Sequence, residues 1–192
     1  MKRLWNYYNG QQDILNKFYA DPSKPCNKVV VNYCSDITAN YQGYLTGKKI
    51  TYSSTEDITD IQEVLNYNDV ASEDSELLKQ ALIYGVGYEI CWIDEDKKQR
   101  FNVIDAKSVI PVYYNSLDEE LAAVIRFYQI EDSNDYFIEV YEDEGISYYK
   151  SGIGFSSMEL IEYKENYYNQ IPITVFKLNE ERKSIFEPIM GL

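Results

Sequence analysis

The sequence predicts an α+β fold, with helices in the first part of the chain and a mostly antiparallel or mixed β-sheet after them. Three observations carry this. The stretch "VVVNYCSDITANYQGYL" places Val29, Tyr33, Ile37, Tyr41 and Leu45 at four-residue intervals, which is one face of a helix. Just past Gly85 the period drops to two, and Val86, Tyr88, Ile90 and Trp92 alternate with other residues. From there onward, short apolar runs recur between clusters of Asn, Asp, Gly and Ser. A chain of 192 residues that is 45% apolar can bury one sizeable core. One domain over residues 1–192 is therefore expected, mainly helical over 1–85 and mainly strand over 86–192.

The first strong helix follows the break at Pro22 and Pro25. Gly47 suits the left-handed position that ends a helix, and Lys48 and Lys49 lie where the helix dipole is negative. Ser54, with Asp57 three residues on, resembles a capping box ahead of Ile58, Ile61 and Leu65. Ser72, with Glu73 and Asp74 in the first turn, opens a helix through Leu78, Ala81 and Leu82 that runs into Gly85. A polar "DEDKK" turn then joins the alternating run to "QRFNVI" as an antiparallel hairpin. Further strands are expected at "VIPVYY", "LAAVIRFYQI", "DYFIEVYE", "GISYYK" and "IPITVFKL".

Charge is unevenly spread. Residues 1–50 hold seven Lys and Arg against three Asp, a net +4, which leaves −18 for the remainder of a chain whose total is −14. So acidic a body repels a phosphate backbone, so any handling of DNA is not a tight grip by this part. Cys26, Cys34 and Cys91 are odd in number, without C-x-x-C spacing, and the chain has no histidine. Free thiols in a reducing compartment are the expectation, and neither a zinc site nor a histidine-based nucleophile can be assembled. No apolar core of a signal peptide follows the start and no window approaches the roughly 20 apolar residues of a membrane span, so a soluble, non-exported chain is expected.

The short motifs are structural. In "YGVGYE", Gly85 and Gly87 follow a helix and precede a strand, whereas a dinucleotide fingerprint runs strand, glycines, helix so that the pyrophosphate meets a helix N-terminus. Gly85 reads as a helix stop and Gly87 as a close-packing strand residue. "GIGFSS" at 152–157 fails the same test, and no P-loop is present. "DEDKKQ" lacks the downstream Gly and final Glu of a calcium loop and reads as a solvated hairpin tip. Cys26 lies near a helix start, where a thiolate would be favoured, but its place beside a proline break is incidental. No catalytic residue, cofactor or metal is expected. The 20 tyrosines fit core and subunit contacts, or platforms for sugars and bases.

Longer strings are more specific. "YYNGQQDIL", "NKVVVNYCSDITANYQGYLTGKKITY", "IYGVGYEICWID", "VIPVYY" and "IPITVFKLNEERKSIFEPI" resemble, in order, the N-terminal part of the portal proteins of long-tailed bacteriophages. The positions that carry the resemblance are Tyr8, Asn9 and Gly10; Asn32; Gly43, Tyr44, Leu45, Gly47 and Lys48; Gly85; Pro111; Pro172; and Glu187 with Pro188. Lys49 departs from the pattern, which usually has proline there. The resemblance covers the family's wing region and not its stem, clip and crown.

What the resemblance implies is a non-enzymatic subunit of a dodecameric ring: a structural component of the capsid vertex, resident in the virion and in the host cytoplasm during assembly. Its partners would be other portal subunits, the major capsid and scaffold proteins, the terminase and a head-completion adaptor. Double-stranded DNA would pass through the ring without tight binding by this region. Lys48 and Lys49 are the candidate subunit-interface residues, meeting an acidic neighbour. Two rival readings are a portal-derived interfering or decoy fragment and a tyrosine-rich carbohydrate-active domain, the latter requiring a carboxylate pair beside exposed aromatic rings.

Overall fold

The computed structural model describes residues 1–18, 25, 27–130, 135–152 and 157–190. Pro22, Cys26 and most of the "GIGFSS" stretch lie outside them. The architecture is α+β. Helices α1 (Lys2–Tyr8), α2 (Tyr33–Thr46), α3 (Thr59–Tyr67) and α4 (Val70–Tyr84) precede strands β1 (Val86–Ile93) and β2 (Gln99–Ile104). Strands β3 (Val109–Tyr113), β4 (Leu121–Gln129), β5 (Tyr136–Tyr141), β6 (Gly145–Ser151), β7 (Met158–Glu165) and β8 (Ile173–Lys177) follow. One sheet has the order β2-β1-β8 and the other β3-β4-β5-β6-β7. The chain forms two compact units, residues 1–87 with 176–192 and residues 88–175. Among the described residues no helix is long and apolar enough to cross a membrane.

In the first unit the helix at the four-residue stripe is real, but the stripe is not its buried face. Asn32 caps α2, accepting from Ser35 N at 3.4 Å, so Val29 precedes the helix. Tyr33, Tyr41 and Leu45 are at least half exposed. The buried side lies one residue further round, at Cys34 and Thr38, and continues to Gln42 and Thr46, both bonded to Ser75 of α4. Small and hydroxyl-bearing side chains bring the two helices together, with Thr38 Oγ1 returning its proton to Cys34 O at 2.8 Å. Gly47 is also not left-handed: its φ is −65°. A side chain at Gly47 would meet the Gly43 carbonyl, so the glycine is a matter of space rather than of handedness.

Two helix starts shift for local reasons. Asp57, rather than Ser54, serves α3, accepting from Thr59 N at 3.0 Å and Thr59 Oγ1 at 2.6 Å. α4 begins at Val70, ahead of Ser72, so Asp74 falls past the first residues of the helix. At its other end Gly85 takes φ +80°, as a helix stop requires, and a Cβ there would strike the Arg182 carbonyl. The C-terminal segment packs here: Leu178 N donates to Gly85 O, Ile185 N and Ser184 Oγ donate to Leu82 O, and Phe186 is fully buried.

The strand and hairpin read from the two-residue period form, but burial along β1 falls from its Val86 end to its Ile93 end instead of alternating. β1 and β2 pair antiparallel from Tyr88↔Ile104 to Ile93↔Gln99. Asp94 Oδ1 accepts from the backbone of Asp96 and Lys98, so the acidic tip is a self-capped turn. β7 was not foreseen. "MELIEYKE" has no clean alternation, and all eight of its residues are exposed at the sheet edge. Pro111 sits on the other edge strand, where its missing N–H breaks no central ladder.

Candidate interaction surfaces

The motif positions of the first unit converge in part. Asn9 follows the end of α1, and its side-chain amide donates to Trp5 O at 2.9 Å. Gly10 then turns the chain with φ +75°, bringing Asn32 Nδ2 within 2.9 Å of Tyr8 O. Tyr8, Asn9, Gly10 and Asn32 therefore form one joint that holds the end of α1 against the start of α2. Gly43 and Tyr44 lie elsewhere, on the open side of α2, with Tyr44 86% exposed. Lys48 is exposed, and Lys49 Nζ donates to Asn66 Oδ1 at 2.8 Å. Glu187 and Pro188 start a short 3-10 turn after buried Phe186. In the second unit the Pro172 carbonyl accepts from Cys91 N at 2.8 Å.

Sequence reading missed the charged cluster of the second unit. In an antiparallel ladder directly opposed residues share a face. By register, Arg126, Glu139, Tyr148 and Glu162 form one row across β4 to β7, and Val124, Tyr141, Ile146 and Lys164 the next. Glu139, on the central strand β5, is 6% exposed and accepts from Arg126 Nη1 at 3.0 Å, Tyr128 Oη at 3.0 Å and Tyr141 Oη at 2.6 Å. Burial, with the Glu139 charge beside it, pushes the Tyr141 hydroxyl far up, so it stays a donor. The Arg126 guanidinium also lies 4.8 Å from the Tyr128 ring centroid. The signal was present: Arg126 and Glu139 each interrupt an apolar run on consecutive strands.

Above this face is a cleft of about 890 Å³ whose lining includes Ile90, Trp92 and Ile104 on one side and Arg126, Tyr148 and Lys164 on the other. Lys164 Nζ lies 5.1 Å from the Tyr148 ring centroid. Tyr168, also in the wall, has its hydroxyl buried without a hydrogen-bond partner. Among the described residues Glu165 is the one carboxylate in the lining, and no group of acidic, Cys or His side chains is arranged to hold a metal.

The opposite face of the five-stranded sheet is largely apolar at its paired positions, with Glu165 opposite Gly145 as a charge at the end of the β6–β7 pair. Ile110, Ile125, Val140, Ser147 and Tyr163 form one row and Phe127, Ile138, Tyr149 and Leu160 another. Ile138 is 4% exposed at the centre, while Ile110, Leu160 and Tyr163 at the edges are half exposed.

Comparison with known proteins gives these surfaces a setting. The chain is 25% identical over 208 aligned residues to the portal protein of Clostridium phage phiCD119, an alignment that covers 93% of this chain and 46% of that protein. The chain thus spans about half the length of the curated relative it matches. A family model described as phage portal protein, SPP1 Gp6-like, matches residues 1–192. With a match from end to end, the chain belongs to the SPP1 Gp6-like family of phage portal proteins.

Proposed function

We propose that residues 1–192 are the wing part of a portal protein, a structural subunit of a ring at the capsid vertex. The observation that carries this is the end-to-end family match, together with a portal relative aligned to 93% of the chain. In this reading the ring, a dodecamer, admits double-stranded DNA during packaging and releases it at ejection. Terminase and a head-completion adaptor dock on the ring, and scaffold and major capsid proteins surround it. This region takes no cofactor and does no catalysis. Its acidic body, net −18 outside the first 50 residues, suits a surface that DNA passes without being held. The carbohydrate reading needs a carboxylate pair beside exposed aromatic rings, and among the described residues the cleft lining holds one carboxylate, Glu165.

The test is electron microscopy of the full reading frame that contains these residues. Rings with a central channel are expected. Small particles only would favour the interfering-fragment reading. Within the ring, exposed Lys48 and neighbouring Lys49 meet an acidic surface of the next subunit. Lys48→Glu with Lys49→Glu in the full-length protein should therefore reduce ring yield at low salt, with partial recovery as salt screens the new repulsion. Unchanged assembly would remove these residues from the interface.

A further inference from the structure

Two apolar faces on different parts of the chain stand open. On α2, Tyr33, Ile37, Tyr41, Tyr44 and Leu45 follow one another along one side of the helix, with Tyr33 60%, Tyr44 86% and Leu45 52% exposed. From Tyr33 to Leu45 this stripe is about 18 Å long. The other face belongs to the five-stranded sheet and bears Ile110, Ile125, Phe127, Val140, Leu160 and Tyr163. A sheet that is apolar on one face needs another layer against it, and its own unit, residues 88–175, has no α-helix to supply one. β5, the central strand, is about 20 Å long, so the α2 stripe matches it in length.

Charge gives the two faces a relative direction. The antiparallel register brings the turns at 114–120 and 142–144 to the same end of the sheet. They present Asp118, Glu119, Glu120, Glu142, Asp143 and Glu144, all exposed, and neither turn contains Lys or Arg. Among the described turn residues at the other end the acidic one is Asp135, which is paired with Lys150 Nζ at 2.8 Å. α2, for its part, runs from Ile37 onward without an acidic residue and is followed at once by Gly47, Lys48 and Lys49. We propose that α2 of one subunit lies along the open sheet face of the next, its lysine end against the acidic turns. This rests on the ring-forming reading above and supplies what such a ring requires, a head-to-tail contact between two different surfaces of one chain. The tyrosine-rich stripe provides the buried area and the charges set the orientation.

The test uses the full reading frame that contains these residues, with the photo-cross-linker p-benzoylphenylalanine replacing Tyr44 and with isotope-labelled and unlabelled protein mixed before assembly. Irradiation should join position 44 to a β4–β7 peptide of a differently labelled copy, at the end near Val140 and Tyr163. Independently, Glu142→Lys with Glu144→Lys should lower ring yield at low salt at least about threefold, as should Lys48→Glu with Lys49→Glu. All four substitutions together should recover most of that loss, because the opposite charges meet again with their signs exchanged. Rings whose links from position 44 fall outside the sheet, or a fourfold variant no better than either pair, would overturn the assignment and leave the ring reading standing. Small particles alone would remove the ring reading. Links between copies at these two faces would then still uphold the contact, and their absence would overturn it too.

Discussion

Two carboxylates with buried oxygens, one in each compact unit, are handled in opposite ways. Glu139 in the second unit accepts from a guanidinium and two tyrosine hydroxyls. Asp74 in the first unit has its Oδ2 buried with no hydrogen-bond partner, and burial raises the pKa of its carboxyl. The same functional group is thus a fixed anchor in one place and a cost in the other. Removing a charge from water is repaid only when its lone pairs are met by well-placed donors. Glu139 sits mid-strand with Arg126 directly opposite and Tyr128 diagonal on the neighbouring strand and Tyr141 two residues along its own, a grid the sheet supplies for nothing extra. Asp74 sits on a helix, where the backbone N–H groups are already taken by the preceding turn.

The largest effect should come from breaking the satisfied site. Glu139→Leu leaves Arg126 without its anion and two tyrosine hydroxyls without their acceptor, and should destabilise the second unit by about 3 kcal/mol. The pair of tryptophans makes this readable by unit, since Trp5 belongs to the first and Trp92 to the second. Urea unfolding followed by Trp92 emission in a Trp5→Phe background should show the full loss. Adding Arg126→Leu should recover much of it, because the double variant buries no unpaired charge. A double variant as unstable as Glu139→Leu alone would mean that lost packing, and not the ion pair, sets the stability of the sheet.

How much of this could be read from the sequence follows from what each period encodes. The alternation from Val86 to Trp92 located the strand but not its buried side, because burial along β1 declines from one end to the other, leaving Trp92 exposed. The four-residue stripe on α2 located a helix but chose the wrong face: a helix offers several, and Tyr33, Tyr41 and Leu45 stay open while Cys34 and Thr38 pack. β7 escaped because its identity comes from pairing with β6, not from its own residues. The resemblance carried by Tyr8, Asn9, Gly10 and Asn32 pointed to the family, and only coordinates reveal that these four make one joint. The interruptions of apolar runs at Arg126 and Glu139 stand in the sequence, but their pairing does not, since they are 13 residues apart and become neighbours only through register.

The smaller and sharper test lies at Asp74. Its carboxyl has a higher pKa folded than unfolded, because burial disfavours the charged form. A group raised in this way contributes its stability below the unfolded pKa and loses it as pH rises through the folded one. Once ionised, the half-buried carboxylate is incompletely solvated at its buried oxygen. Asp74→Asn keeps the shape and removes the charge, so it should stabilise the first unit at neutral pH by on the order of 1 kcal/mol. As pH falls through the folded pKa toward the usual carboxylate range, the wild-type carboxyl takes up a proton and the advantage of the variant should shrink to nothing. Urea unfolding followed by Trp5 emission in a Trp92→Phe background, repeated from neutral to acid, measures it. A gain that persists unchanged into acid would show that the variant acts through helix preference or packing, and that the contrast with Glu139 is not one of charge.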